Sequence, residues 1–337
     1  MRFSVIVVSW NALEYLKKFL PSVVGTDYTD FEIIVADNAS TDGSASWIHE
    51  NYPEVKVASL DKNYGYCGGN NRGARHADGD ILVFLNNDVE VDPQWLTELR
   101  NCFEMDDKIA AAQPKMLSYE EPDYFEYAGA AGGFLDKYGY PYCRGRIFDT
   151  IEKDEYQYNS FSDIFWASGA ALAIRRERFE WCGGFDEDFE FHMEEIDMCW
   201  KLLNKNYRIV YCPQSTVYHV GGGSLPMNSP RKTYYNFRNN LVLLWKNLSS
   251  QTLGKRFAVR LLLDVVTFFY FIFTLRFKEL GALIKAYFKF LKMFNRTNAK
   301  RKQLLASRSI EEDPNIMAPF SLVWQYYIRG KRYFRDL

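Results

Sequence analysis

Histidine is scarce in this 337-residue chain, four in all, and none of the six cysteines forms a C-x-x-C pair. The spacing of Cys67, Cys102, Cys143, Cys182, Cys199 and Cys212 suggests neither a zinc site nor a disulfide scaffold, so reduced thiols in a cytosolic protein are expected. No internal repeat and no low-complexity linker interrupts the sequence. The glycine-rich stretch from Lys62 to Gly73 matches neither G-x-G-x-x-G nor G-x-x-x-x-G-K-S/T, which argues against a dinucleotide oxidoreductase and a P-loop ATPase. No uncharged apolar run reaches the roughly 20 residues of a membrane span. The N-terminal residues through Ser9 are too short for a signal peptide and lack a small-residue cleavage pattern, so they read as a first buried strand.

What is present is the balance of a globular protein, 47% hydrophobic and 25% charged, with length for a full core and an appendage. The net charge of −2 conceals an acidic body and a basic tail: residues 1–254 hold 24 basic and 37 acidic side chains, residues 255–308 hold 13 and 2. Strand patterns at Phe3–Ser9, Phe31–Asp37, Val55–Leu60 and Asp80–Asn86 alternate with helix patterns near Leu13–Val24, Gly43–Asn51 and Cys67–Ala77. This alternation predicts βαβ units, a mostly parallel sheet and helices on both faces. Asp92 and Pro93 read as the N-cap and first residue of a further helix. Residues 119–160, rich in Tyr, Gly, Asp and Glu with weak periodicity, predict loops or a small excursion over the sheet. Regularity returns at Ile164–Ile174 and at the strand-like Tyr207–Cys212.

Chemistry gathers where strands end. The apolar run Ile81–Leu85 closes in Asn86-Asn87-Asp88, and a doubly wound sheet binds its ligands at such carboxyl ends. Asp88 suits a hard divalent cation, which prefers oxygen and often bridges to phosphate. The second strand ends in Asp37-Asn38 and the first in Ser9-Trp10-Asn11, so three successive strand ends carry polar groups. Asp42 is expected to cap the helix after it. In the stretch from Lys62 to Gly73, Asn63 and Gly65 lie in the turn, Asn70 and Asn71 open a helix, and Arg72 has the reach for a diphosphate; a glycine-rich helix entry is the other reading. Ser168-Gly169-Ala170-Ala171 permits close approach of backbone or ligand, or tight core packing. Glu194, Glu195 and Asp197 either favour the dipole of a helix start or include a general base. His219 precedes Gly221-Gly222-Gly223-Ser224; it is a metal ligand or a loop residue, and the glycines suit a moving lid.

Taken in order, Val8-Ser9-Trp10-Asn11, Asp37 to Asp42, Asn63 to Gly73, Leu85 to Asp88, Glu194 to Asp197 and His219 to Ser224 resemble a family 2 glycosyltransferase with the GT-A fold, most like bacterial rhamnosyltransferase-like members. The resemblance spans roughly residues 3–224. It implies an inverting transfer from a nucleotide-diphosphate-sugar, dTDP-rhamnose or a UDP-sugar, to a glycan or lipid-linked acceptor. Asp37 then matches the nucleoside contact, within a donor-binding set of Ser9, Asn11, Asp37, Asn38, Asn63, Gly65, Asn70, Arg72, Asn86 and Asn87. Asp88, with His219, matches the ligands of Mg²⁺ or Mn²⁺, Asn86 standing where the D-x-D element has its first Asp. Glu195 matches the catalytic base, usually Asp in the family, and Ser168, Gly169 and Glu194 face the acceptor. The Q-x-x-R-W element of processive members is absent, which implies distributive transfer. Competing readings are a sugar nucleotidyltransferase and a non-catalytic binding protein of the same fold.

A catalytic domain over residues 1–250, divided near residue 100 into donor and acceptor halves, leaves residues 251–337 as a helical region. There Arg256, Arg260, Asp264, Thr267, Thr274 and Lys278 fall on one helical stripe, and Lys285, Lys289, Lys292 and Arg296 continue it after Gly281. The pattern predicts a basic amphipathic pair on an anionic membrane, at the inner face of the cell membrane. Packing on the catalytic domain or on a second copy is the alternative. Lys300-Arg301-Lys302 on so acidic a chain does not argue for nucleic acid.

Overall fold

The computed structural model describes residues 1–221 and 229–337. Its first half is built from β1 (Phe3–Ser9), α1 (Leu13–Val24), β2 (Phe31–Asp37), α2 (Ser44–Asn51), β3 (Lys56–Ser59), α3 (Gly65–Gly73), β4 (Ile81–Asn86), β5 (Val89–Val91), α4 (Trp95–Glu104) and β6 (Ile109–Ser118). Then come β7 (Gly133–Leu135), β8 (Pro141–Cys143), β9 (Arg146–Ile147), β10 (Thr150–Ile151), β11 (Ser162–Asp163), β12 (Ala171–Arg175), α5 (Arg176–Trp181), α6 (Glu194–Leu203) and β13 (Arg208–His219). The helices α7 (Pro230–Asn247), α8 (Leu253–Phe273) and α9 (Phe277–Ser307) follow, and short helical turns at Trp324–Ile328 and Phe334–Asp336 end the described chain.

The main sheet runs β11-β13-β6-β12-β4-β1-β2-β3, with β5 on β13. Its β4-β1-β2-β3 half is wholly parallel, as the βαβ alternation predicts. Beyond β4 it is mixed, since β12 runs antiparallel to both neighbours while β6 and β13 pair in parallel. Successive side chains of these strands feed opposite faces. Ile6, Ile34, Leu82 and Phe84 enter one core, and Val5, Val7, Val35, Val83 and Leu85 enter the other. Residues 133–151 form a separate four-stranded sheet, β10-β9-β8-β7, in the segment expected to make an excursion.

Several local expectations shift. The helix expected from Cys67 starts at Gly65, so Asn70 and Asn71 lie inside it rather than at its opening. The helix expected at Pro93 starts at Trp95, because Asp92 first makes a turn: its side chain accepts the Gln94 N–H at 2.9 Å and its carbonyl the Trp95 N–H at 3.0 Å. The expectation of reduced thiols fails at one pair. Cys102 of α4 and Cys212 of β13 form a disulfide, 110 residues apart in sequence with Cα atoms 6.4 Å apart, because α4 packs directly on β13. Spacing along the chain carries no trace of that approach.

The tail packs inward through its polar groups. Arg260 and Asp264 of α8 are buried and paired at 2.9 Å, and Tyr287 of α9 donates to Asp264 at 2.7 Å. Arg256 pairs with Asp313 at 2.9 Å. Lys300 reaches Asp186 at 2.5 Å and Asp188 at 2.6 Å, and Arg296 reaches Asp188 at 2.7 Å. The stripe expected to meet a membrane therefore meets the body, at Arg256, Arg260 and Asp264. The bend between the two helices also comes earlier than Gly281, at Thr274–Arg276.

Beneath this contact lies a buried charge cluster. Asp197, fully buried, takes Lys246 at 2.8 Å, Lys201 at 3.1 Å and the Asn247 amide at 2.8 Å. Burial alone would raise its carboxyl pKa, but Lys201 and Lys246 outweigh burial and lower it. Removing one member strands buried charge, so Asp197→Ala should lower unfolding free energy by about 3–5 kcal/mol. Urea denaturation measures this, and a loss below about 1 kcal/mol would contradict the cluster's role.

Candidate active site

Strand register sets the rim of the site. Ser9 lies opposite Asp37 across β1 and β2, and Val8 lies opposite Asn86 across β1 and β4, so these strand ends form one edge. Asp37 is buried and accepts the Ser40 N–H at 3.1 Å. Ser9 Oγ is buried with no hydrogen-bond partner among the described residues. Asn11 and Asn38 shape the loops around this edge. Asn11, at φ +48°, accepts the Thr41 N–H at 2.8 Å. Asn38 accepts the Tyr64 N–H at 3.3 Å and donates to the Gly65 carbonyl at 3.1 Å. Its amide needs Gly69 beneath it, since a Cβ there would come within 2.7 Å. Asn63 accepts the Gly65 N–H at 2.8 Å, turning the chain where Gly65 takes φ +68°. Asp42 accepts the Leu13 N–H at 2.8 Å and the Ser44 N–H at 3.1 Å, tying together the starts of two helices, but the N-cap of α2 is Gly43 and not Asp42 as expected, because the chain turns through left-handed backbone at Gly43 before the helix begins. Arg72 is engaged within the protein: its guanidinium stacks 3.4 Å from the Tyr64 ring centroid, donates to Gly68 at 2.9 Å and pairs with Glu187 at 3.1 Å. Asn70 is buried in α3, its Nδ2 without a partner among the described residues.

Asp88 and His219 meet because β5 pairs with the end of β13, setting Val89 opposite His219. His219 Nε2 lies 3.2 Å from Asp88 Oδ1 and 3.4 Å from Asn86 Nδ2. Its other nitrogen lies 3.3 Å from Glu126 Oε1, a residue the sequence gave no reason to single out. Burial works against protonation of His219, but Glu126 and Asp88 more than offset it and push its pKa up to about 10. Val220 donates to the Asp88 carbonyl at 3.1 Å, while Gly222, Gly223 and Ser224, expected as a lid, lie outside the described residues.

The carboxylates of α6 enter through a strained loop. Glu190, His192 and Met193 take φ of +61°, +65° and +71°. Such backbone persists only where its surroundings over-determine it. Here α7 does so. Arg238, fully buried, reaches Glu190 at 2.7 Å and the Asp188 carbonyl at 3.0 Å, and the Asn239 amide reaches the Phe189, Phe191 and His192 carbonyls at 2.9, 2.6 and 2.8 Å. Glu194 and Glu195 follow at once. Burial pushes Glu195 up to about 7 against the lowering effect of the backbone N–H groups at the helix start. Glu194 rises well above the usual carboxylate range through burial and the neighbouring Glu195 charge. One oxygen of each is buried without a partner among the described residues. The third carboxylate, Asp197, belongs instead to the lysine cluster.

One loop joins the carboxylate pair to the rim. A Cβ on Gly169 would lie 3.8 Å from Glu194 Oε1 and 2.9 Å from the Tyr66 hydroxyl, which donates to the Gly169 carbonyl at 2.6 Å. The next residue, Ala170, accepts the Asn86 N–H at 3.0 Å. Ser168 Oγ donates to the Ala128 carbonyl, and its N–H donates to Gln113 at 2.8 Å. Short contacts thus run from Asp88 and His219 through Asn86 and the 168–170 loop to Glu194, with Glu195 next to Glu194 in α6 and Asp37 two strands from Asn86 along the same sheet edge. Asn11, Asn38, Asn63 and Ser168 shape its walls by their hydrogen bonds, and Asn87 lies in the turn between Asn86 and Asp88. Two cavities of about 550 and 670 Å³ lie elsewhere, behind residues 181–187 and beneath residues 206–209, and neither is lined by Asp37, Asp88 or Glu195.

Residues 4–169 match the family described as Glycosyl transferase family 2. That part of the chain belongs to the family. It is 30% identical over 225 residues to the O-antigen biosynthesis protein RfbC of Myxococcus xanthus, a match covering 65% of this chain but only 17% of that protein. It is 27% identical over 233 residues to an N-acetylglucosaminyl-diphospho-decaprenol L-rhamnosyltransferase of Mycobacterium tuberculosis, covering 64% of this chain and 75% of that one. The structure of Staphylococcus aureus TarS with UDP-GlcNAc superposes with a TM-score of 0.58 over 90% of this chain and 86% of that one, at 19% identity. The GT-A architecture is thus shared, and the mixed sheet with helices on both faces and an added helical region is this chain's form of it.

Glu195 also makes a prediction about stability. Its folded pKa lies above the ordinary 4.5, so its contribution is fully present below that value and is lost as pH rises through about 7. Glu195→Gln removes the cost of ionising it. The variant should match the parent near pH 4.5 and exceed it by about 2–3 kcal/mol at pH 8, read by thermal or urea unfolding at both. An equal difference at both pH values would contradict the raised pKa.

Proposed function

We propose that the chain is an inverting glycosyltransferase that moves a sugar from a nucleotide diphosphate to a hydroxyl of a glycan or lipid-linked acceptor. The observation that carries this reading is the continuity from Asp88 and His219, through Asn86 and the 168–170 loop, to Glu194 and Glu195. A charge-binding end and a proton-accepting end then flank one crevice.

Asp37, at the buried end of β2, accepts hydrogen bonds from the nucleoside, and the loops held by Asn11 and Asn38 bound the donor. The Asp88 carboxylate and His219 Nε2 fit a hard divalent cation, Mg²⁺ or Mn²⁺, by donor type. Glu126 lies on the far side of the imidazole, as carboxylates commonly do behind ligating histidines. Among the described residues no three ligating side chains cluster, so a cation here would take the rest of its shell from phosphate and water. His219 must lose its proton to serve as a ligand. Bound there, the cation supplies positive charge to offset that of the departing diphosphate.

Glu195 accepts the proton of the acceptor hydroxyl, and its raised pKa makes it a stronger base than an ordinary carboxylate while leaving it ionised above neutrality. The acceptor oxygen bonds to the anomeric carbon from the face opposite the leaving group, the bond to diphosphate breaks, and the configuration inverts. Ser168, Gly169 and Glu194 border the acceptor side. The mycobacterial relative's name supports L-rhamnose as the sugar and a polyprenyl diphosphate glycolipid as the acceptor, with a UDP-sugar the second choice of donor. Such an acceptor places the protein on the inner face of the cell membrane.

Glu195→Gln should retain donor binding and lose about two to four orders of magnitude in transfer rate. Release of nucleoside diphosphate from dTDP-rhamnose and UDP-sugars measures it; normal turnover by the variant, or pyrophosphate as product, would defeat the assignment. Asp88→Ala should abolish the part of donor affinity that a chelator removes from the parent protein. Calorimetry with and without chelator measures this, and an unchanged chelator effect in the variant would contradict the metal role.

A further inference from the structure

The outward face of α8 is apolar. Leu262, Val265, Val266, Phe269, Tyr270 and Phe273 are all exposed, Phe273 at 81%, and their spacing by three and four residues puts them on one stripe. The polar residues of the same helix, Arg260 and Asp264, are buried at 3% and 2% exposure. The helix is thus turned the opposite way from a helix packed on a core and facing water. Its stripe continues through the bend at the exposed Leu275 and Phe277. A contiguous exposed apolar surface of this kind marks a site of interaction.

The neighbouring helix indicates what covers it. The outward face of α9 interleaves exposed Phe288 and Leu291 with exposed Lys285, Lys289 and Lys292. These lysines have no ion-pair partner among the described residues, whereas Arg296 and Lys300 further along the helix pair with Asp186 and Asp188. Lysine stems lying over apolar side chains, with ammonium groups at the edge, match a boundary between acyl chains and phosphates. An aromatic and basic cluster also adjoins α8 from its inward side. Arg260 sits 4.5 Å from the Tyr140 ring, Tyr140 packs on Phe148, and Phe148 packs on Tyr327 at 5.4 Å. Beside exposed Tyr327 lie exposed Trp324, Ile328 and Arg329, a composition found at the headgroup level of membranes.

We propose that α8 and the first half of α9 form a monotopic membrane dock, in which the apolar stripe of α8 enters an anionic leaflet and the α9 lysines meet lipid phosphates. This deepens the reading above, which supplies the lipid-linked acceptor that such a dock serves. Insertion of apolar side chains does the holding, and charge selects the leaflet. No helix among the described residues is long and apolar enough to cross a membrane, so the dock lies on the bilayer. Because α9 packs along α7, and α7 holds the loop leading to Glu195, dock and carboxylates belong to one packed unit.

The test is co-sedimentation of the full chain with vesicles of phosphatidylcholine, alone or mixed with phosphatidylglycerol, alongside calorimetric titration of UDP and dTDP. Binding to both vesicles is expected, tighter on the anionic ones. Phe269→Ser with Phe273→Ser should weaken both by about tenfold or more per phenylalanine. Lys285→Gln, Lys289→Gln and Lys292→Gln together should weaken only the anionic preference, by about fivefold per lysine. Failure to sediment with either vesicle overturns the proposal. So does a dimer that the two serine substitutions dissociate, since the stripe would then belong to a second copy. Intact vesicle binding by a protein that binds neither nucleotide sinks the catalytic reading and leaves the dock standing.

Discussion

The grip of α7 on the loop before α6 is the constraint on which the rest of the site depends. Arg238 and Asn239 bond the carbonyls of Asp188, Phe189, Phe191 and His192, which bracket the left-handed residues Glu190, His192 and Met193, each such residue costing roughly 1–3 kcal/mol when unsupported. Lys246 and Asn247, two turns further on, hold Asp197. One helix therefore fixes both the entry and the first turn of α6. The placement of Glu194 and Glu195 at the start of α6 follows from that, Glu194 buried and Glu195 partly so, and with it their raised pKa values.

The charge imbalance along the chain has the same origin. Acidic residues gather in the loop and helix that carry the carboxylate pair, and Lys246 of α7 together with Arg296 and Lys300 of the tail neutralises Asp186, Asp188 and Asp197. Inward-turned polar groups on α8 leave its apolar side facing out. The acidic body and the exposed apolar stripe are two consequences of one packing arrangement.

Local pattern made the parallel half of the sheet legible. Ile81–Leu85, Phe3–Ser9 and Phe31–Asp37 are buried runs whose ends fall where the structure ends them, so the polar rim at Ser9, Asp37 and Asn86 could be read before any coordinates. The carboxylates of Glu194, Glu195 and Asp197 could be found in sequence but not sorted. Only the lysines that converge on Asp197 from two helices separate it from its neighbours. Glu126 lay hidden in a segment without periodicity, and the Cys102–Cys212 bridge depends on helix–strand packing across 110 residues. What the polar stripe of α8 meets was not legible for a related reason. A helical stripe of Arg256, Arg260 and Asp264 looks alike whether it faces water or buried partners, and those partners, Asp313 and Tyr287, lie far along the chain.

The central claim is that strand-end acids and the α6 carboxylates serve one ligand. A crystal structure of the full chain with Mn²⁺ and an unreactive UDP- or dTDP-sugar tests it most directly. The account predicts the diphosphate and the ion against Asp88 and His219, the nucleoside against Asp37, and the sugar between Gly169 and Glu195. Nucleotide bound instead in the cavity bordered by Asn71, Lys201 and Lys300, with Glu195 remote from the sugar, would contradict it.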